Sequence, residues 1–388
     1  SNRLNPKKLP RRLTPCTQLV PVAKRIFMTK NQLVLIDGHA LAYRMFFALP
    51  LEAFTTKSGE PTNATYGFLR TVIDWILADN PPKYFAVSFD LGRTFRDDMF
   101  AEYKGTREKM PDELGLQINR IKEVIRTLNI PILELEGFEA DDVLGTVARQ
   151  AKPLGVPVHI ITGDRDLLQL VDDNTLVELP ARGSRPPEVF DVAGVIGYFE
   201  VRPDQVVDYK ALVGDTSDNI PGVKGIGAKT AAKLLNEYDT LDNIYANIDS
   251  IKGANEKKLA EGQASAYLSR DLARIVTDAP ITLNLEACVA EDFDPNPVLE
   301  IFRELEFRSL TNILMERLGG REDIEEPEAQ IKPTETIIVR TQTQLDELVE
   351  TLNAAKLIAF DVETTGLDKT TAELVGICLA VKSPVGYY

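Results

Sequence analysis

Nine carboxylates stand where they could do metal chemistry: Asp37, Asp90, Glu139, Asp141, Asp142, Asp164, Asp166, Asp215 and Asp218. Three of their clusters close apolar, β-branched runs. LVLID ends at Asp37, YFAVSFD ends at Asp90, and VHIITGDRD carries Asp164 and Asp166 just past its run. In an open parallel sheet, ligands gather outside the carboxyl ends of the strands, so acids placed there converge. Converging acids keep their charge only beside a counter-charge, and hard divalent cations with oxygen ligands supply it. In FEADDVLGTVARQ, Glu139 and Asp142 are spaced i, i+3, so a helix starting here puts both on one face with Asp141 beside them. Asp215 and Asp218 in GDTSDN repeat that spacing, which predicts a second helical pair. Such pairs facing single acids at strand ends could hold two cations about 4 Å apart, the arrangement of two-metal phosphodiester hydrolysis. Each acid also has a structural reading: Asp141 as a helix N-cap, Asp164 as a turn residue, Asp215 as the cap of the next helix. Nine acids phased in this way make the joint structural reading the weaker one.

A second constellation is GVKGIGAKTAAKLL, from Gly222 to Leu235. Two glycine turns precede a helix whose free N–H groups would face an anion, and Lys224, Lys229 and Lys233 add positive charge. This is a helix-hairpin-helix pattern, which grips a DNA backbone without reading sequence. Its expected contacts are Gly222, Lys224, Gly225, Gly227, Lys229 and Thr230. The alternative is a tight glycine-rich turn between packed helices. Carbonyls of such hairpins commonly also hold a monovalent cation such as K⁺. A third stretch, Arg93 to Pro111, interleaves Arg93, Arg96, Lys104, Arg107 and Lys109 with Phe95, Phe100 and Tyr103. Beside a metal site this composition suits clamping a scissile phosphate and stacking a frayed base. Taken alone, with acids nearly as numerous, it reads better as an amphipathic surface helix. His39 and His159 are the only histidines, which disfavours an imidazole-based mechanism.

The elements that must position these residues alternate. Strand-like runs at 33–37, 84–90, 131–135 and 156–162 are separated by helical stretches at 63–79, 112–128 and 138–151, which predicts a mainly parallel sheet covered on both faces. Beyond residue 200 strands become scarce, and 203–318 reads as short helices joined by Gly- and Asp-bearing turns. A charged, Pro-bearing linker is expected over 319–335. TIIVR, a helix, LIAFDVETTGLD and ELVGICLAV then begin a new α/β unit, with too few strands by Tyr388 to close a core. The first 30 residues hold eight basic residues and no acid. They are expected to be a disordered leader, non-native ahead of Met28 or else an organelle transit peptide. A chain of 388 residues suits two to three domains. Cys16, Cys288 and Cys378 lie too far apart for a disulfide framework or zinc knuckle and fit a reducing cytosol. No apolar run is long enough to span a bilayer. The net charge of −15 argues against nucleic acid only on average. Metal-binding acids inflate it, and local clustering of Lys and Arg is what phosphate binding requires.

Together, DGHALAYR, FDLGRTFR, AEYKGTRE, GFEADDVLGTVA, TGDRDLLQL and GDTSDNIPGVKGIGAKTA resemble the 5′-nuclease domain of bacterial DNA polymerase I, within the flap endonuclease superfamily. The resemblance runs in unbroken order from about residue 31 to 318. It implies a PIN-like, Rossmann-like α/β core over 31–200 with a helical arch near 91–130, then a helix-three-turn-helix DNA-binding region over 201–318. It also implies Mg²⁺ or Mn²⁺, two or more ions, and 5′–3′ exonuclease and flap endonuclease activity on DNA flaps, nicked or gapped duplex and RNA primers. All nine acids fall on the family's metal-ligand positions. Lys104 and Arg107 match arch residues that contact the scissile phosphate, Tyr43 matches the aromatic under the terminal nucleotide, and Arg96 matches a further phosphate contact. LIAFDVETTGLD resembles the start of an RNase H-like 3′–5′ proofreading exonuclease domain, here 336–388. Asp361 and Glu363 stand at its first metal positions, on one side of the pleat. The later acids of that site are missing, so this pair is expected to be idle and no polymerase activity is expected. The resemblance further implies a monomer working in the cytoplasm with nucleoid DNA. Two rival readings are a PIN-type ribonuclease, which would lack the hairpin and arch, and a non-catalytic flap-binding module, which would have lost acids.

Overall fold

Six strands form one sheet: β1 (Leu33–Asp37), β2 (Tyr84–Ser88), β3 (Ile132–Leu133), β4 (Val158–Ile161), β5 (Thr175–Leu179) and β6 (Glu188–Phe190). The order is β3-β2-β1-β4-β5-β6, parallel throughout except for β6 at the edge. This is a computed structural model that describes residues 30–180, 186–290, 293–317, 335–355, 357–365, 373–382 and 385–388. The basic leader, Lys30 apart, and the expected linker, residue 335 apart, lie outside the described residues.

Period-2 alternation in β1 explains why its run is apolar on both sides. Leu33 and Leu35 enter one core with Leu144, Val147 and Ala148 of the helix Ala140–Ala151. Val34 and Ile36 enter another with Leu41, Phe68, Val72, Ile121 and Val124. A parallel sheet buried on both faces demands this continuous hydrophobicity. The helices of this unit are α1 (Gly38–Ala48), α2 (Asn63–Ile76), α3 (Phe95–Met99), α4 (Asp112–Thr127), α5 (Ala140–Ala151), α6 (Val192–Phe199), α7 (Val206–Val213), α8 (Ala228–Tyr238), α9 (Leu241–Ala246), α10 (Ala254–Ala273), α11 (Pro295–Glu304) and α12 (Arg308–Arg317).

The fold corrects four expectations from the sequence. The strand expected at 131–135 shrinks to two residues, while β5 and β6 stand where no strand is expected. The stretch from Arg93 to Pro111 is no surface helix: only Phe95–Met99 is helical, and turns follow. Of the arch expected near 91–130, α4 is a core helix, with Leu114, Ile118, Ile121, Val124 and Ile125 buried. Asp215 and Asp218 lie in a turn rather than on a helix, because α7 ends at Gly214 (φ 78°) and Asn219 adopts a left-handed φ of 57°. Paired backbone hydrogen bonds between Asp215 and Ile220, at 2.9 and 2.7 Å, close that turn.

Residues Gly320–Tyr388 form a separate unit. Its strands β7 (Glu335–Ile337), β8 (Ala359–Thr364), β9 (Leu374–Lys382) and β10 (Val385–Tyr387) order as β7-β10-β9-β8, with the helix α13 (Gln342–Ala354). β8 pairs antiparallel with β9, setting Asp361 opposite Cys378 and Glu363 opposite Gly376. Asp361 and Glu363 are both exposed.

Candidate metal centre and nucleic-acid interface

The strand order reverses at β1, between its neighbours β2 and β4. Outside the carboxyl ends there lies the switch point at which such sheets bind ligands. Asp37 ends β1, Asp90 follows β2, Asp164 follows β4, and the N-terminus of α5 brings Glu139, Asp141 and Asp142 to the same edge. Asp37 caps α1: its Oδ1 accepts the Ala40 N–H at 3.0 Å, and its Oδ2 accepts the Thr162 hydroxyl at 2.8 Å. Thr162 Oγ1 in turn accepts the Asp164 N–H at 2.9 Å, and Asp164 Oδ1 accepts the Asp166 N–H at 2.9 Å. Asp90 Oδ1 accepts the Ala140 N–H at 2.7 Å, tying the end of β2 to the first turn of α5.

Burial, then the nearby charges of Asp90 and Asp164, pushes the Asp37 carboxyl up to about 7, against its Ala40 and Thr162 hydrogen bonds. Burial, then Asp37, Asp164 and Glu139, holds Asp141 well above the usual carboxylate range. Desolvation and like-charge crowding both favour the neutral acid. Among the described residues, no Lys or Arg side chain lies within ion-pair distance of Asp37, Asp90, Asp141 or Asp164. His39 supplies no charge either. The Asp90 N–H donates to His39 Nδ1 at 3.1 Å, so that nitrogen carries no proton, and burial holds the imidazole below its ordinary value. The 3.3 Å approach of Nδ1 to Asp90 Oδ2 is therefore no ion pair.

The other five acids are each met by a cation. Arg96, 2% exposed, donates Nη1 to Asp142 Oδ2 at 2.7 Å and Nη2 to Asp142 Oδ1 at 2.8 Å. It also donates to the carbonyls of Leu272 and Arg274. Asp142 accepts the N–H groups of Glu139 and Val276 as well. The arginine matched to a phosphate contact is thus a buried staple between α3, α5 and the chain after α10. The N-cap of α5 is Glu139, not Asp141. Lys104 Nζ donates to Glu139 Oε1 at 2.8 Å, and Arg107 pairs with Asp218. The Tyr103 hydroxyl lies 3.3 Å from Glu139 and 3.4 Å from Asp218. Lys210 pairs with both Asp166 and Asp215. Burial, then Asp164, pushes Asp166 up to about 8 against the pull of Lys210, whereas Asp215, despite partial burial, is drawn down to about 2 by Lys210 and Ser217.

Among the described residues, no three His, Cys, Asp or Glu side chains form a ready-made cage for an ion. Asp37, Asp90 and Asp164 are turned instead onto backbone N–H and hydroxyl donors. The chemistry of the sheet-edge acids still fits a hard divalent cation: the donors are all oxygen, Asp37 is buried while Asp90, Asp141 and Asp164 are partly exposed, and they crowd one another.

The glycine hairpin follows directly on the Asp215–Ile220 turn. Gly222 (φ 62°) and Gly225 (φ 83°) take conformations that disfavour side chains, and a Cβ on Gly222 would lie 2.3 Å from Gly214 N. The Gly222 N–H donates to Ser269 Oγ at 2.9 Å, and Ser265 Oγ donates to the Gly222 carbonyl at 2.7 Å. Gly227 caps α8, leaving exposed Lys224 and Lys229, with Thr230 half-buried, around its N-terminus. Lys258 Nζ donates to the Gly225 carbonyl at 2.9 Å. Tyr43 is half-buried on α1, and the ring of Phe47, 73% exposed, stacks near it with centroids 6.5 Å apart. Sequence reasoning missed Phe47, Thr162, Lys210, Ser265 and Ser269. Phe47, one helical turn after Tyr43, left a legible i, i+4 signal; the other four left none.

This sheet-edge acid cluster with its flanking cations and hairpin is the architecture of an α/β nuclease. The fold agrees with two crystal structures. T5 5′-exonuclease with bound zinc aligns with a TM-score of 0.53 at 20% identity, over 74% of this chain and 98% of that one. The bacteriophage T5 flap endonuclease D15, solved as a pseudo-enzyme–product complex with DNA and metal ions, gives 0.52 at 20% identity over the same shares. Residues 32–199 match the 5′–3′ exonuclease N-terminal resolvase-like domain, 201–296 the 5′–3′ exonuclease C-terminal SAM fold, and 336–388 a 3′–5′ exonuclease. The chain belongs to the 5′–3′ exonuclease family, the nuclease hydrolases carried by DNA polymerase I. DNA polymerase I of Chloroflexus aurantiacus is 41% identical over 90% of this chain, and that of Bacillus subtilis 42% identical over 81%. The chain spans 40% and 35% of the lengths of those two relatives.

Proposed function

We propose that this chain is a divalent-cation-dependent 5′–3′ exonuclease and flap endonuclease that acts on DNA in the cytoplasm. Its substrates are 5′ flaps, nicked or gapped duplex, and RNA primers. One observation carries this reading: Asp37, Asp90, Asp141 and Asp164 crowd the switch-point edge of the sheet with no Lys or Arg partner among the described residues. Mg²⁺ or Mn²⁺ suits such donors, with Glu139, Asp142, Asp166, Asp215 and Asp218 completing or ordering the set. Bound there, the cations supply Lewis-acid charge to a scissile phosphodiester.

The chain's own residues do the rest. Lys104 and Arg107 rest on Glu139 and Asp218, and each can exchange that carboxylate for a phosphate oxygen. Tyr43 and Phe47 offer stacking area for an unpaired base. The N-terminus of α8, with Lys224 and Lys229, holds the duplex backbone. His39 is neutral and fixes Asp90 rather than moving a proton.

Incubation of a 5′-labelled flap with Mg²⁺ should release a short 5′ fragment, and EDTA should abolish it. Asp141→Ala should lose at least about 10²-fold in rate, the scale of removing one preorganised electrostatic group. Cleavage that persists in EDTA, or in a folded Asp141→Ala variant, would overturn the proposal.

A further inference from the structure

Lys210 occupies a position that no motif marked. It stands on α7 next to buried Ala211 and Leu212, and its side chain is 8% exposed. Its ammonium reaches two carboxylates from different elements: Asp166, after β4, and Asp215, in the turn that follows α7, the latter at 2.7 Å. Among the described residues no other Lys or Arg pairs with either acid. A cation shared by two half-buried carboxylates is what a metal ion would be at this spot, and here the chain fills it from its own sequence. The sheet-edge acids have no such occupant.

We propose that Lys210 is a resident counter-ion that competes with a divalent cation for the Asp166–Asp215 half of the centre. The inference rests on the metal-centre reading above. The two halves then load differently. Asp37, Asp90, Asp141 and Asp164 accept a cation without displacing any cationic group. Asp166 and Asp215 accept one only when the ammonium swings away on its flexible four-carbon stem. Lys210 therefore sets the order of loading, as a positioning residue that touches ligands rather than substrate.

The test is Mn²⁺ titration of the full chain by calorimetry, with free ion counted by electron paramagnetic resonance, on wild type, Lys210→Met and Lys210→Arg. Methionine keeps most of the length and removes the charge. The expected result is that Lys210→Met tightens the weaker Mn²⁺ step by at least about tenfold, equivalent to about 1.4 kcal/mol, and leaves the tighter step within about twofold. Lys210→Arg should behave as wild type. Thermal melting guards against misfolding: Lys210→Met should melt lower in EDTA and recover more than wild type on adding Mn²⁺. An unchanged or lost weaker step in Lys210→Met, or a melting loss that Mn²⁺ does not restore, would overturn the inference alone. Absence of any Mn²⁺ binding by wild type would overturn the metal-centre reading and this inference with it.

Discussion

Two halves of one acidic centre are held in opposite ways. At the sheet edge, Asp37, Asp90 and Asp164 accept backbone N–H groups and a threonine hydroxyl, and Asp141 is crowded against Asp37 and Asp164. Around them, Glu139, Asp142, Asp166, Asp215 and Asp218 meet Lys104, Arg96, Lys210 and Arg107. Hydrogen bonds satisfy lone pairs but leave net charge in place, whereas an ion pair removes it. The first half thus stores an unmet demand for positive charge. The second, with four cations set against five carboxylates, is largely offset and serves as the frame. The same residue type, at similar spacing, does different work depending on whether a neighbouring element delivers a cation.

The largest effect should come from breaking the frame. Arg96→Met leaves the fully buried Asp142 without its partner, and losing one member of a buried pair costs about 3–5 kcal/mol. Chemical denaturation should show that loss, while Asp37→Asn, which replaces a crowded, hard-to-ionise carboxyl at the sheet edge by a neutral amide, should leave the metal-free protein as stable or more so. Equal destabilisation by both would erase the distinction between the halves.

A second way to sharpen the comparison is pH. Asp37 holds its proton up to about 7 and Asp166 up to about 8 in the folded protein, against an ordinary value of 3.8. The native state then binds more protons than the unfolded chain between these values, so stability in EDTA is greatest below about pH 4 for these groups and falls as pH rises through 7 to 8. A tenfold difference in proton affinity between the folded and unfolded states corresponds to about 1.4 kcal/mol. With Mg²⁺ present, the charged form is favoured and the fall should flatten or reverse. Melting temperatures across pH 5 to 8, with and without Mg²⁺, check it; identical curves would contradict it.

The smallest effect belongs to the interface. Lys224→Ala should weaken binding of nicked duplex evenly across sequences and lower the salt slope by about one, with Mn²⁺ affinity unchanged. A change in metal affinity would mean that hairpin and centre are not separable.

Much of this was legible in the chain. LVLID could only be a strand buried on both faces, and its terminal Asp37 had to emerge at a sheet end. The glycines of GVKGIG announced the hairpin because the backbone there needs left-handed φ. What stayed hidden was pairing. Nothing in FRDDM distinguishes Arg96, buried against Asp142, from a surface arginine, since its partners lie 46 and more than 170 residues away. Lys210 reads as one lysine on a short apolar helix. Ser265 and Ser269 are ordinary helix-surface residues until the hairpin packs on them. β5 escaped because Thr175 and Glu178 break its apolar run, and β6 because three residues carry too little periodicity to separate from loop. The i, i+3 spacing of Asp215 and Asp218 misled for a related reason: it fits a tight turn as well as a helix.

The most direct test of the central claim is where a divalent ion settles. Crystals grown with Mn²⁺ and measured at the manganese absorption edge should show an anomalous peak bounded by Asp37, Asp90, Asp141 and Asp164. A folded protein with no peak there, or with manganese only at Asp361 and Glu363, would contradict the account.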